Sequence, residues 1–221
     1  MRFFFELSQV ASVYAGLDQD KYDPHCEHVL VWDADKNIVV GTYRVLPLRR
    51  VADTVGIFSE TAFDLTNIRQ AHRNFLELGR ACVRADYRGK PVINLLWRGV
   101  ACYVQQHQLN YLGGCVCLNK EQDQRFAEQV YAYCQQHNKV VDKHLQTKPL
   151  AGHRLPNFQL DAKVMNAKEI VSRLPPIFRV YLSIGAKIGG EPAYDPELGI
   201  IDFFIFLKSP QTKQGAARFF D

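Results

Sequence analysis

Residues 76–100 read LELGRACVRADYRGKPVINLLWRGV, a strand, a turn and a helix in succession. The helix is carried by Val92, Leu95, Leu96, Val100 and Tyr103, which recur at helical spacing. Pro91 suits its first turn, where a missing N–H costs nothing. The strand raises a problem, because Glu77 and Arg80 sit among apolar residues. Strict alternation puts Leu76, Leu78, Arg80 and Cys82 on one face and Glu77, Gly79, Ala81 and Val83 on the other. Gly79 lies between the two charges, and a glycine inside a strand marks a bulge. A bulge would shift the register, turn both charges toward one cleft and free backbone groups for a ligand. The turn ADYRGK then leads into a helix N-terminus, which presents unpaired N–H groups and partial positive charge. Arg88, Gly89 and Lys90 add charge and close backbone approach. The turn therefore reads either as a phosphate cradle or as a solvated loop.

The rest of the chain sets the frame. A length of 221 residues suits one domain with a core of its own, and 47% hydrophobic composition is that of a globular protein. The net charge of +4 permits an acidic partner or an anionic surface without demanding either. Of six cysteines, several lie inside apolar runs such as GGCVCL and none has the paired C-x-x-C spacing of a zinc site, so no metal is expected and the setting reads as reducing and cytoplasmic. No stretch approaches the roughly 18 apolar residues of a spanning helix. Basic residues are not interleaved with aromatics as in a nucleic-acid interface.

Outward from the opening stretch, HVLVW and IVVGTYRVL flank the turn residues DADKN and predict a hairpin. Residues 2–15 show a helical pattern. SETAFDLTNIRQAH predicts a short helix capped by Ser59 or Thr61. NYLGGCVCL is a strand, 121–137 a helix, and GIIDFFIFL a closing strand. The apolar helix around 177–187 reads as a core helix, with a membrane-surface helix as the other reading. Alternating strand and helix argue for parallel pairing in part of the sheet, and the hairpin for antiparallel pairing elsewhere. The fold class is α/β (α+β) with a mixed sheet.

The segment CVRADYRGKPVINLLWRGV resembles the acyl-donor motif of the GNAT acyltransferase superfamily. With DKYDPHCEHVLVWD, VVGTYRVLP, FSETAFDL, LELGRACV and IGGEPAYDPELGIIDFFIFL in order, nearly the whole chain resembles the ornithine N-alpha-acyltransferases of bacterial ornithine-lipid synthesis, sometimes labelled hemolysin-like. It is more distantly similar to acyl-homoserine lactone synthases. The resemblance implies a three-layer fold with helices on both faces of a central sheet and a bulged, splayed strand at 75–83. It implies one acyltransferase domain over 1–221, without the family's usual N-terminal strand.

The activity implied by the resemblance is transfer of a 3-hydroxy fatty acyl group to an amino-acid amine, ornithine first. Another N-acyl amino acid or signal, or a non-catalytic donor-binding or membrane-binding module, are the alternatives. Pro91 replaces the usual second glycine of the donor motif. That favours acyl carrier protein over coenzyme A as donor, so the cosubstrate is a phosphopantetheine thioester with no further cofactor. Glu77 is then the general base, helped by Arg80, or else a strand carboxylate paired with Arg80 or Arg44. Cys82, Val83, Tyr87, Arg88, Gly89 and Lys90 fall on the donor. Arg2, Phe4, Asp20, Asp23 and Arg44 match the family's acceptor residues, or form a structural network. Arg49, Arg50, Arg84, Arg88, Arg98, Lys139 and Lys143 are the cations available to an acidic carrier protein. A Cys82–histidine nucleophile has no local signature in its favour. Peripheral contact with the cytoplasmic membrane would suit a lipid product.

Overall fold

A computed structural model of the chain describes residues 19–71, 74–160 and 166–209. Arg2, Phe4 and the expected helix over 2–15 lie outside the described residues. The regular elements are Glu27–Asp33 (β1), Ile38–Pro47 (β2), Phe63–Asp64 (β3), Thr66–Ala71 (α1), Phe75–Val83 (β4), Val92–Gln106 (α2), Tyr111–Cys117 (β5), Gln124–Gln136 (α3), Lys148–Pro149 (β6), Ala167–Arg173 (α4), Pro176–Ser183 (α5), Lys187–Ile188 (β7), Ala193–Asp195 (β8) and Ile200–Lys208 (β9). Seven strands make a mixed sheet. The chain divides into two compact units, one holding 19–57 and 74–112, the other 58–71 and most of 113–208.

In the first unit β1, β2 and β4 run as an antiparallel meander. The β1–β2 turn forms because the Asp33 carboxylate accepts the N–H groups of Asp35 and Lys36, while Asn37 takes the left-handed conformation at φ 56°. Helix α2 packs on the face formed by Val29, Gly41, Tyr43 and Val45. It comes in close because glycines face it on one side and belong to it on the other. A Cβ at Gly41 would lie 2.6 Å from Val92 Cγ1, and one at Gly99 would lie 2.3 Å from Val29 Cγ1. Trp97 meets Tyr43 edge to face, ring centroids 5.8 Å apart. The opposite face of β2 carries Thr42, Arg44 and Leu46.

In the second unit β7 and β8 each pair antiparallel with β9. The FFIF run of β9 is buried on both faces, with Phe178 of α5 against Phe203 and Phe63 beside Phe204. Phe178, Tyr181 and Leu182 of α5 are all buried, so the apolar face of this helix is used inside the unit and the core-helix reading applies. Helix α3 is capped by Asp123, whose carboxylate accepts the Phe126 N–H at 3.0 Å. The short helix after SETAFDL starts at Thr66, not at Ser59 or Thr61. Residues 58–61 form a 3-10 turn, Phe63–Asp64 pair with Lys148–Pro149, and the Asp64 carboxylate accepts the Thr66 N–H. Among the described residues no helix is long and apolar enough to cross a membrane.

Candidate active site

The site is built on the pairing of β2 with β4. Leu46 faces Glu77, Arg44 faces Gly79 and Thr42 faces Cys82. Tyr43 therefore stands against two residues, Arg80 and Ala81, which is a β-bulge. The expected bulge is present, one residue beyond the glycine that signalled it. Arg80 takes the left-handed conformation at φ 50°, whereas Gly79 does not. A Cβ at Gly79 would make only ordinary contact with Arg44, at 3.9 Å from Nε. The bulge resolves the problem posed by strict alternation. Glu77 and Arg44 share a face, and the guanidinium of Arg80 comes round to the carboxylate that Arg44 also holds.

That carboxylate belongs to Asp20. Arg44 is 4% exposed and its Nη1 donates to Asp20 Oδ2 at 2.8 Å and to Asp23 Oδ1 at 3.0 Å. Arg80 Nη2 donates to the same Asp20 oxygen at 3.0 Å. The loop is knitted around these carboxylates, with the Tyr22 N–H on Asp20 Oδ1 and a 3-10 turn over Asp23–His25. Burial pushes the Asp20 carboxyl up, but the hydrogen bond and charge of Arg44 more than offset it and hold the group below its ordinary range. Burial opposes the charge on Arg44, and its bonds to Asp20 and Asp23 again win, so its affinity for the proton rises. Arg44, Asp20 and Asp23 thus form one closed network, and Arg80 is tied to it.

Glu77 is 4% exposed on the same face. Its charge is felt by two neighbours that sequence reasoning did not single out. Tyr22 is held up first by burial, and Glu77 and Asp20 add to the effect. The Cys26 thiol is pushed up to about 11, again by burial first, with Asp23, Asp20 and Glu77 contributing. Cys82 is half-buried, and burial raises its thiol as well. Burial thus works against the thiolate form of both sulfurs. Among the described residues no cluster of histidine, cysteine, aspartate or glutamate could hold a metal.

The residues expected on the donor side follow directly. The ladder runs on through Val83 opposite Gly41, and the Arg84 N–H bonds Val40 O at 2.9 Å. A 3-10 turn over Ala85–Tyr87 leads to Gly89, at φ 85° with nothing within 4 Å of a Cβ placed there. Helix α2 then starts with no side-chain cap and no acidic residue in its first turn. A 15-residue helix left uncapped beside Arg88 and Lys90 is open to an anion. Tyr87 serves as an organiser, since its buried ring accepts the ammonium groups of Lys90 at 4.0 Å and Lys36 at 5.2 Å. Its hydroxyl donates to Asp33 Oδ2 in the hairpin turn. Lys36 joins this cluster from that turn, 54 residues earlier in the chain than Lys90, by a route no local motif announces.

A family profile, the acetyltransferase (GNAT) domain, matches residues 2–98, which contain the hairpin, the bulged strand and the start of α2. The chain has a GNAT-like α/β fold. It is 29% identical over 198 residues to the L-ornithine N(alpha)-acyltransferase of Brucella abortus (strain 2308), a match covering 86% of this chain and 69% of that protein. It is 26% identical over 210 residues to the L-ornithine N(alpha)-acyltransferase of Rhodobacter capsulatus, covering 92% and 79%. Among solved structures it resembles BjaI, a CoA-dependent acyl-homoserine lactone synthase, with a TM-score of 0.49, 13% identity and coverage of 93% and 68%. It resembles TofI, bound to an inhibitor and MTA, with a TM-score of 0.48, 15% identity and coverage of 95% and 79%.

Proposed function

We propose that this chain is an N-acyltransferase that moves a 3-hydroxy fatty acyl group from acyl carrier protein to the α-amine of ornithine, giving a lyso-ornithine lipid. The observation that carries the reading is the buried carboxylate of Glu77, three residues before the bulge in β4 and on the sheet face that also carries Arg44. Glu77 is the carboxylate assigned to chemistry. The acceptor ammonium gives a proton to Glu77, directly or through water. The free amine attacks the thioester carbonyl. The C–N bond forms, the C–S bond breaks, and the carrier's thiol leaves with a proton. Backbone N–H groups released from the ladder at the bulge are suited to stabilise the oxyanion of the intermediate. Asp20, Asp23 and Arg44 shape the acceptor side rather than bind it. Cys82 and Val83 line the pantetheine path, and Arg88, Gly89 and Lys90 take the phosphate, with Tyr87 holding the turn.

The choice of carrier protein is supported by exposed Lys36, Arg88, Lys90 and Arg98, with the exposed apolar Leu95 among them on α2. An acidic protein would be steered to such a surface. Lys139 drops out of that surface because its ammonium is bonded to Leu182 O. Among the described residues no cysteine is joined in a disulfide, which suits a reducing cytoplasm where charged carrier protein is found, with delivery of the product to the inner face of the membrane. Ornithine comes from the names of the relatives.

The test supplies purified protein with labelled 3-hydroxyacyl carrier protein, or the same acyl group on coenzyme A, and ornithine, lysine, glycine, glutamine or S-adenosylmethionine. Transfer from the carrier protein to ornithine is the expected result. Transfer to another amine would replace the acceptor, equal use of coenzyme A would remove the carrier, and no transfer would leave a donor-binding module.

A further inference from the structure

We infer that Arg80 is a positioning residue, which holds the β4 bulge in its left-handed turn through Asp20 and does not touch the reacting groups. The inference rests on the acyltransferase reading above. Three observations converge on it. Two residues of β4, Arg80 and Ala81, oppose the single Tyr43 of β2. The first of the two has φ 50°, a region where a side chain is unfavourable and where bulges of this kind ordinarily carry glycine. The guanidinium of this same residue is bonded at 3.0 Å to Asp20, which is itself fixed at 2.8 Å by the buried Arg44.

Glycine would permit the bulge at no steric cost, and the chain has one at the preceding position. Arginine at position 80 carries a steric cost that glycine would not, and the bond from its guanidinium to Asp20 offsets that cost and keeps the left-handed turn populated. The pair also ties the acidic loop to the strand that bears Glu77, three residues before the bulge. The side chain acts on the reaction through the backbone it fixes, because the bulge decides which N–H groups leave the ladder and where the Glu77 carboxylate lies relative to them.

The test compares Arg80→Gly with Arg80→Ala. Both delete the guanidinium, and they differ only in the freedom of the backbone. If Arg80 positions the bulge, Arg80→Gly keeps kcat within about threefold of wild type and Arg80→Ala falls about tenfold below it, the factor set by the cost of a left-handed Cβ. KM for the acceptor stays unchanged in both. Asp20→Asn lowers kcat more in the wild-type background than in Arg80→Gly, where only its bond to Arg44 is left to lose. Urea unfolding gives a readout that needs no activity. At an ordinary strand position alanine is more stable than glycine, and here the order inverts, with the higher midpoint for Arg80→Gly. Equal loss of kcat in both variants, or a raised acceptor KM in both, would overturn the inference and put the guanidinium on the substrate. If wild-type protein transferred no acyl group, the acyltransferase reading would fall, and urea unfolding would still decide the inference: the glycine–alanine order tests the left-handed turn, and a larger loss from Asp20→Asn in wild type than in Arg80→Gly tests its hold through Asp20. Alanine above glycine would overturn it.

Discussion

Replacing Arg44 by methionine should unfold the protein at a markedly lower temperature. Arg44 is 4% exposed and holds Asp20 and Asp23 at 2.8 and 3.0 Å. Methionine fills much of the same volume but leaves Asp23 facing Asp20 without the buried cation they share, with only the more exposed Arg80 still on Asp20. Removing one partner of a fully buried pair costs about 3–5 kcal/mol. The two carboxylates retain 20% and 17% exposure, so water offsets part of the loss and about 2–3 kcal/mol is expected. For a chain of this size that is about 5–10 °C in Tm. The loss depends on pH with a definite sign. The folded-state pKa of Asp20 lies below its ordinary value of 3.8, so its ionised form stabilises the fold above that value and ceases to do so as pH falls through the lower folded value. The gap between wild type and Arg44→Met is therefore full at pH 7 and narrows below about pH 3.8. Adding Asp20→Asn and Asp23→Asn to Arg44→Met should recover part of the stability, since the stranded charges are then gone. Thermal melts followed by circular dichroism across pH measure all of this. A single variant as stable as wild type at pH 7, or a gap that widens in acid, would refute the closed-network account.

Other outcomes follow from particular contacts. Gly99→Val should lose about 1–3 kcal/mol in urea unfolding, because a Cβ there would meet Val29 Cγ1 at 2.3 Å and α2 would be forced off the sheet. The paired change Lys36→Glu and Lys90→Glu should raise KM for acyl carrier protein about tenfold at low salt, with the difference shrinking as ionic strength increases. Alkylation of Cys26 by iodoacetamide should stay slow up to about pH 9 because its thiol is pushed up to about 11, and Cys26→Ser should leave transfer within about twofold of wild type. Fast loss of activity on alkylation at pH 7, traced to Cys26, would contradict that environment.

The local chemistry of this chain was readable where it acts over a few residues. Asp33 through Asn37 announce the hairpin turn and form it by their own hydrogen bonds. The spacing of Val92, Leu96 and Val100 announces the buried face of α2. The bulge was legible as a conflict between period two and two charges. Its position was not, because the left-handed residue is selected by Asp20, 60 positions away in the chain. The start of α1 was misplaced for a related reason. Ser59 and Thr61 look like caps, yet residues 63–64 are drawn into pairing with 148–149, and the cap passes to Asp64. Tyr22, Cys26 and Lys36 gave no signal because their importance comes from neighbours brought together by the meander.

The central claim is that Glu77 is the base of an acyl transfer. Its most direct test is the transfer of label from 3-hydroxyacyl carrier protein to ornithine by Glu77→Gln, with donor affinity measured alongside. Loss of a general base predicts a fall in turnover of about 10²–10⁴, with the dissociation constant for the acyl donor unchanged within about twofold. Turnover within about threefold of wild type would contradict the assignment and return Glu77 to the role of a buried strand carboxylate.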